Sequence, residues 1–142
     1  MHRIPMFMIV CFVLASLSGP AVAADEPVTV AYYYKVKWGY QEEFLELFKK
    51  NHYPVLAEQL KSGRLLAVEA FVPRFHGEGR ADWTFLTVLV FKNWDIMKDS
   101  SEEQEIIRRL YPDQEKFRQE ERRRFELLEA HWDVPLQSVQ MQ

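Results

Sequence analysis

Cysteine is almost missing from this chain: its 142 residues hold one, Cys11, near the N-terminus. If that stretch is removed on export, the remaining protein has no disulfide framework, no thiol nucleophile and no thiolate metal ligand. A lipid anchor on Cys11 fits poorly, because Ile9-Val10 places a bulky residue where a small one is needed. Metal-binding spacings such as HxH and HExxH are lacking as well, and beyond the first residues only His52, His76 and His131 remain. There is no phosphate-cradling glycine loop, no Ser, His, Asp order and no paired-carboxylate spacing, so hydrolase and nucleotide readings gain no support. Neither a metal nor a cofactor is expected. Positive charge is not in excess either. The chain carries 18 basic and 21 acidic residues, and removing Arg3 leaves 17 − 21 = −4, which argues against nucleic acid and anionic membrane surfaces as partners.

Long apolar runs are also scarce. Ile9–Leu17 is too short to span a bilayer, which takes about 20 residues, but it has the length of a signal-peptide core. Arg3 precedes it, and Ser18-Gly19-Pro20 followed by Ala21-Val22-Ala23-Ala24 supplies the small residues a peptidase needs. The expectation is a signal peptide over Met1–Ala24, a single domain over residues 25–142, and a periplasmic or secreted protein with no membrane association after cleavage.

What is present is dominated by Ala81–Lys92, ADWTFLTVLVFK, which is too continuously apolar to leave one face in water and therefore reads as a central strand. Val28–Lys37 is a second strong strand, with Val28, Val30, Tyr32, Tyr34 and Val36 on one face. A helix follows from Gln41, with Phe44, Phe48, His52 and Leu56 on its stripe, and Pro54 predicts a kink or restart around Asn51–Tyr53. Gly63 ends that helix, and Arg64–Phe75 reads as a strand with Leu66, Val68, Ala70 and Val72 on one face and Leu65, Ala67, Glu69 and Phe71 on the other. The segment Arg74–Arg80 is a glycine-containing hairpin loop that includes His76. Asn93 caps a short helix, Ser101 and Gln104 resemble a capping box for another, and Tyr111-Pro112-Asp113 breaks the pattern. Gln114–Glu126, dense in Glu and Arg, predicts a solvated helix with Glu120 and Arg124 paired; Arg122-Arg123-Arg124 as an anion patch is the other reading. Leu128–Val134 alternates as the last strand, ended by Pro135.

This order predicts an α+β fold: a ferredoxin-like βαββαβ sandwich with an antiparallel four-stranded sheet, its first and third strands central and its last strand beside the first. The first strand runs into Trp38-Gly39-Tyr40-Gln41-Glu42-Glu43-Phe44. Its helix ends in Asn51-His52-Tyr53-Pro54, the turn falls at Gly63, and Phe91-Lys92-Asn93-Trp94 follows the third strand. In these segments the chain resembles the dimeric α+β barrel superfamily, which includes the NIPSNAP, EthD and antibiotic-biosynthesis-monooxygenase-like families. The resemblance implies helices on one sheet face and a homodimeric barrel closed through the other. It spans cofactor-free monooxygenases, isomerases and haem-handling proteins and selects none of them.

His52 is the sharpest candidate for chemistry. On an apolar stripe it is either a core histidine with a partner or a pocket residue beside the Pro54 break, lined by Tyr32, Tyr34 and Trp83 and titrating near neutrality as a general base or hydrogen-bond donor. His131, between Glu129 and Asp133, belongs either to cross-strand charge pairing with Lys35 and Lys37 or to a ligand set. Two functions remain: a homodimer that binds a small apolar or aromatic ligand, and a cofactor-independent oxygenase or isomerase of an aromatic or polyketide-like substrate. N-terminal sequencing of exported material should read from Ala24 or Asp25; an intact Met1 in a membrane fraction would overturn the signal-peptide reading.

Overall fold

The computed structural model describes residues 26–75 and 82–141. The expected signal peptide, Cys11, His76 and most of the Arg74–Arg80 loop lie outside the described residues. Four strands, β1 (Val28–Val36), β2 (Leu65–Phe71), β3 (Phe85–Phe91) and β4 (Leu128–Leu136), form one antiparallel sheet in the order β2-β3-β1-β4. The two strands richest in β-branched and aromatic residues, β1 and β3, are central, as their apolar runs require. β4 runs one residue past Pro135. An edge strand can hold a residue without a backbone N–H, which is why proline does not stop it there.

Helices α1 (Gln41–Leu47), α2 (Tyr53–Lys61), α3 (Trp94–Lys98), α4 (Ser101–Leu110) and α5 (Gln114–Glu126) accompany the sheet. The face of β1 and β3 carrying Val30, Tyr34, Phe85 and Leu89 packs with Phe44, Phe48 and Leu56 to form the core. The opposite face carries Ala31, Tyr33, Leu86, Val88, Trp132 and Val134 at matching register positions. The register of β2 slips between Leu65 and Ala67, so Leu65 turns inward and is buried with Val68 beside it, while Leu66 points out. The strict alternation expected for this strand fails because a bulge adds one residue to one side of the ladder.

The capping devices also differ in part. Asn93 Oδ1 accepts from the Ile96 N–H at 2.9 Å, as its position suggests. Ser101, however, does not cap α4; its own N–H donates to Asp99 Oδ1 at 2.9 Å. On α5, Asp113 Oδ1 accepts from the Lys116 N–H, and Arg124 pairs with Glu121 while Glu120 binds Lys50 and Asn51.

The break at Pro54 takes a definite form. Residues Phe48–His52 make a π-helical turn between α1 and α2. Pro54 has no N–H to donate to the carbonyl four residues back, which is that of Lys50. The hydroxyl of Tyr111, from the end of α4, stands 2.9 Å from both Lys50 O and Asn51 O and takes the place of the missing donor. Removing that hydroxyl with Tyr111→Phe should cost about 1 kcal/mol in urea unfolding and speed amide exchange at the start of α2. An unchanged midpoint would show that the turn does not depend on it.

Candidate functional site

The π turn, α2, α4 and the inner sheet face enclose a cavity of about 160 Å³. β1 contributes Tyr32 and Tyr34, β3 contributes Thr87, Leu89 and Phe91, the turn contributes His52, α2 contributes Leu56 and Gln59, and α4 contributes Glu103. Three of the four candidates read from the sequence are therefore brought together. Trp83 is not among them: it packs edge-on to Tyr33 at 6.1 Å, on the other side of the sheet, because it lies ahead of β3 and outside the alternation that turns Phe85 inward. A larger hollow of about 600 Å³ lies at the far end of α1, between Trp38, Phe44, Leu45, Val72, Phe75 and Phe85. Its few polar groups are partly engaged, Thr84 with Tyr34 O and the Val36 N–H, and Gln41 with the Gly39 N–H. Converging polar side chains mark a site better than volume does, and the smaller cavity gathers more of them than the larger hollow, from His52, Gln59, Thr87, Glu103 and the two tyrosines.

Tyr34 sits at the centre of the site, 3% exposed. Its ring meets Phe44, Phe48 and Phe85 at 5.4 to 6.1 Å and stacks on His131 at 4.3 Å. Burial pushes its hydroxyl pKa up, opposed by the charge of Arg124 and by hydrogen bonding with Thr87. The Tyr32 hydroxyl is driven higher still by burial and then by Asp133, so both phenols stay protonated. Glu103 is shifted up by burial, against the pull of Arg64. His52, whose ring lies 5.0 Å from that of Phe48, goes the other way: burial first, then the positive charge of Arg124 and the neighbouring His131, lower its pKa to about 3. It does not titrate near neutrality; it is a neutral imidazole throughout the physiological range.

His131 spends both ring nitrogens, Nδ1 donating to Tyr33 O at 2.8 Å and Nε2 facing Asp133 at 3.2 Å. Of the expected cross-strand pairs, Lys35 meets Glu129 at 3.4 Å, while Lys37 donates to Glu126 O. Among the described residues no group of three or more His, Cys, Asp or Glu could hold a metal ion.

Arg124 is the residue the sequence reading misplaced. It is 2% exposed rather than solvated, its guanidinium held over Phe44, Phe48 and Phe125 at 4.6 to 5.8 Å. Its neighbours Arg122 and Arg123 are exposed, and Arg123 forms a two-pronged pair with Glu43 at 2.7 and 3.0 Å. The signal that could have found Arg124 is its spacing: seven residues after Phe117 and three before Leu127, it continues the inward stripe of α5.

No family model and no curated protein matches the chain. Among solved structures it is similar to a NIPSNAP family protein from Agrobacterium tumefaciens, at 17% identity over 82% of this chain and 89% of that one, with TM-score 0.53. It is also similar to a dimeric ferredoxin-like protein from an uncultured marine organism, at 12% identity over 84% and 96% of the two chains, with TM-score 0.53. A hypothetical Arabidopsis thaliana protein aligns at 12% identity over 84% and 94%, with TM-score 0.51. These likenesses show the fold, which is ferredoxin-like. A ferredoxin-like sandwich buries one sheet face under its helices, and here that face supplies the cavity.

The depressed His52 pKa has a stability consequence with a definite sign. Between pH 6.5 and about 3 the unfolded chain binds a proton at this position that the folded chain does not, so stability is full above pH 6.5 and falls as the solution is acidified. From pH 7 to pH 5 the loss attributable to His52 is about 2 kcal/mol. Comparing wild type with His52→Gln by urea melts at both pH values should show that the variant lacks this increment. Equal pH dependence in the two forms would contradict a buried neutral His52.

Proposed function

We propose that the protein is an exported homodimer in which each protomer binds a small, uncharged, single-ring ligand in the cavity between α2, α4 and the inner sheet face. The observation that carries this reading is the cavity itself: about 160 Å³, walled by Leu56, Leu89 and Phe91 and edged by the hydroxyls of Tyr32, Tyr34 and Thr87. An apolar hollow of about 150 Å³ is known to hold a benzene ring. Its titratable neighbours favour a neutral guest, because burial keeps both tyrosines protonated and His52 unprotonated and shifts Glu103 in the direction of its neutral form. A base with a pKa of about 3 is too weak to draw a proton from a substrate at neutral pH, which favours binding over the oxygenase or isomerase reading.

The homodimer rests on the outer sheet face. Tyr33 and Trp132 stack there at 5.2 Å and 8°, beside Trp83, Leu86 and Val88, and an aromatic surface of this kind normally meets a partner. The dimeric ferredoxin-like protein from the marine organism lends the same reading support. Light scattering at micromolar concentration should return twice the mass of one chain; a stable monomer would overturn the dimer.

Single-ring probes such as toluene and benzaldehyde should raise the melting temperature of the wild type. Leu89→Phe, which fills the cavity, should weaken binding by about tenfold or more while costing about 1–3 kcal/mol of stability. Thermal shift with isothermal titration measures both, and binding that survives a filled cavity would place the ligand elsewhere.

A further inference from the structure

Arg124 carries a feature that the fold alone does not account for. Two of its guanidinium nitrogens, Nε and Nη2, are bound to the Glu121 carboxylate at 3.0 and 2.7 Å, whereas the third, Nη1, is buried without a hydrogen-bond partner. Leaving such a donor unpaired is costly in a protein interior. Glu121 lies on the outer side of the pair, with its side chain 18% exposed against 2% for that of Arg124, so water screens the acid more than the cation. The guanidinium lies over Phe44 and Phe48 at 5.8 and 5.7 Å, the same two rings that Tyr34 packs against, and its charge lowers the pKa of the Tyr34 hydroxyl.

We infer that Arg124 is a positioning residue that makes Tyr34 a donor toward the cavity, so that the site selects ring compounds bearing an acceptor oxygen, such as aldehydes and ketones. This rests on the ligand-binding reading above. A guanidinium has donors only, so toward Arg124 the Tyr34 oxygen can only accept, and its single O–H proton must point elsewhere. Thr87 lines the cavity with Tyr34. A carbonyl oxygen entering there receives the tyrosine proton, while Nη1 closes onto the tyrosine oxygen behind it; such bonds are often long before a ligand arrives and tighten with it.

The test compares benzaldehyde with toluene, a ring of similar size without an acceptor, by titration calorimetry, and reads the carbonyl stretch of bound benzaldehyde by infrared difference spectroscopy. Wild type should favour benzaldehyde by roughly tenfold, the effect of one hydrogen bond, with the carbonyl stretch shifted to lower frequency. Tyr34→Phe should abolish both effects. Arg124→Met should weaken both while still binding toluene, and Arg124→Lys, which keeps a donor, should restore part of them. If neither probe binds wild type, the ligand-binding reading falls and this inference with it. If both bind equally, or if the preference is unchanged in the Arg124 variants, the inference alone is overturned. Should Arg124→Met fail to fold, the wild-type preference, the carbonyl shift and Tyr34→Phe decide: loss of the preference in Tyr34→Phe supports the inference, and its persistence overturns it.

Discussion

The arrangement hangs on a donor that the backbone lacks. Pro54 leaves the Lys50 carbonyl without its usual partner, and the chain answers with a π turn and a tyrosine hydroxyl borrowed from α4. That contact ties the π turn to the end of α4, and Asn51 adds a tie to Glu120 of α5 at 2.9 Å. Extra-wide turns of this sort recur at functional sites, since they redirect side chains that a continuous helix would commit to packing. Here the redirected side chain is His52, whose ring reaches the cavity edge while Phe48, one turn earlier, stays in the core.

Around the cavity the electrostatics are set by burial first and by one cation second. Desolvation alone would hold the two tyrosines and His52 in their neutral forms. Arg124 lowers the pKa of both His52 and Tyr34; for His52 this reinforces burial, and for Tyr34 it opposes burial. Asp133 raises the pKa of both tyrosines, and Glu103 adds to the rise at Tyr32.

Much of the architecture was legible in the sequence because it follows from periodicity. Val28–Val36 and Phe85–Phe91 could only be central strands, and the break before Pro54 was visible from the missing donor. Tyr32, Tyr34 and His52 were reachable as a group because strand alternation and helical spacing place all three toward the core. The failures have equally local causes. A bulge reversed the faces at the start of β2, and Trp83 lies ahead of β3, outside the alternation that would have put it on the face of Phe85. Arg124 was hidden because a run of three arginines looks solvated, although only its third member falls on the inward stripe. Gln59, Thr87 and Glu103 come from three separate elements, and nothing in their spacing announces that tertiary packing will unite them.

The central claim is that the hollow beneath the Pro54 break is a binding site for a small neutral ring. A crystal structure of the protein grown with benzaldehyde tests it most directly. The ring should lie among Leu56, Leu89 and Phe91, with its oxygen within hydrogen-bonding distance of the Tyr34 hydroxyl. A cavity left empty at saturating benzaldehyde, or a ring seated only in the larger apolar hollow by Trp38 and Phe75, would contradict it.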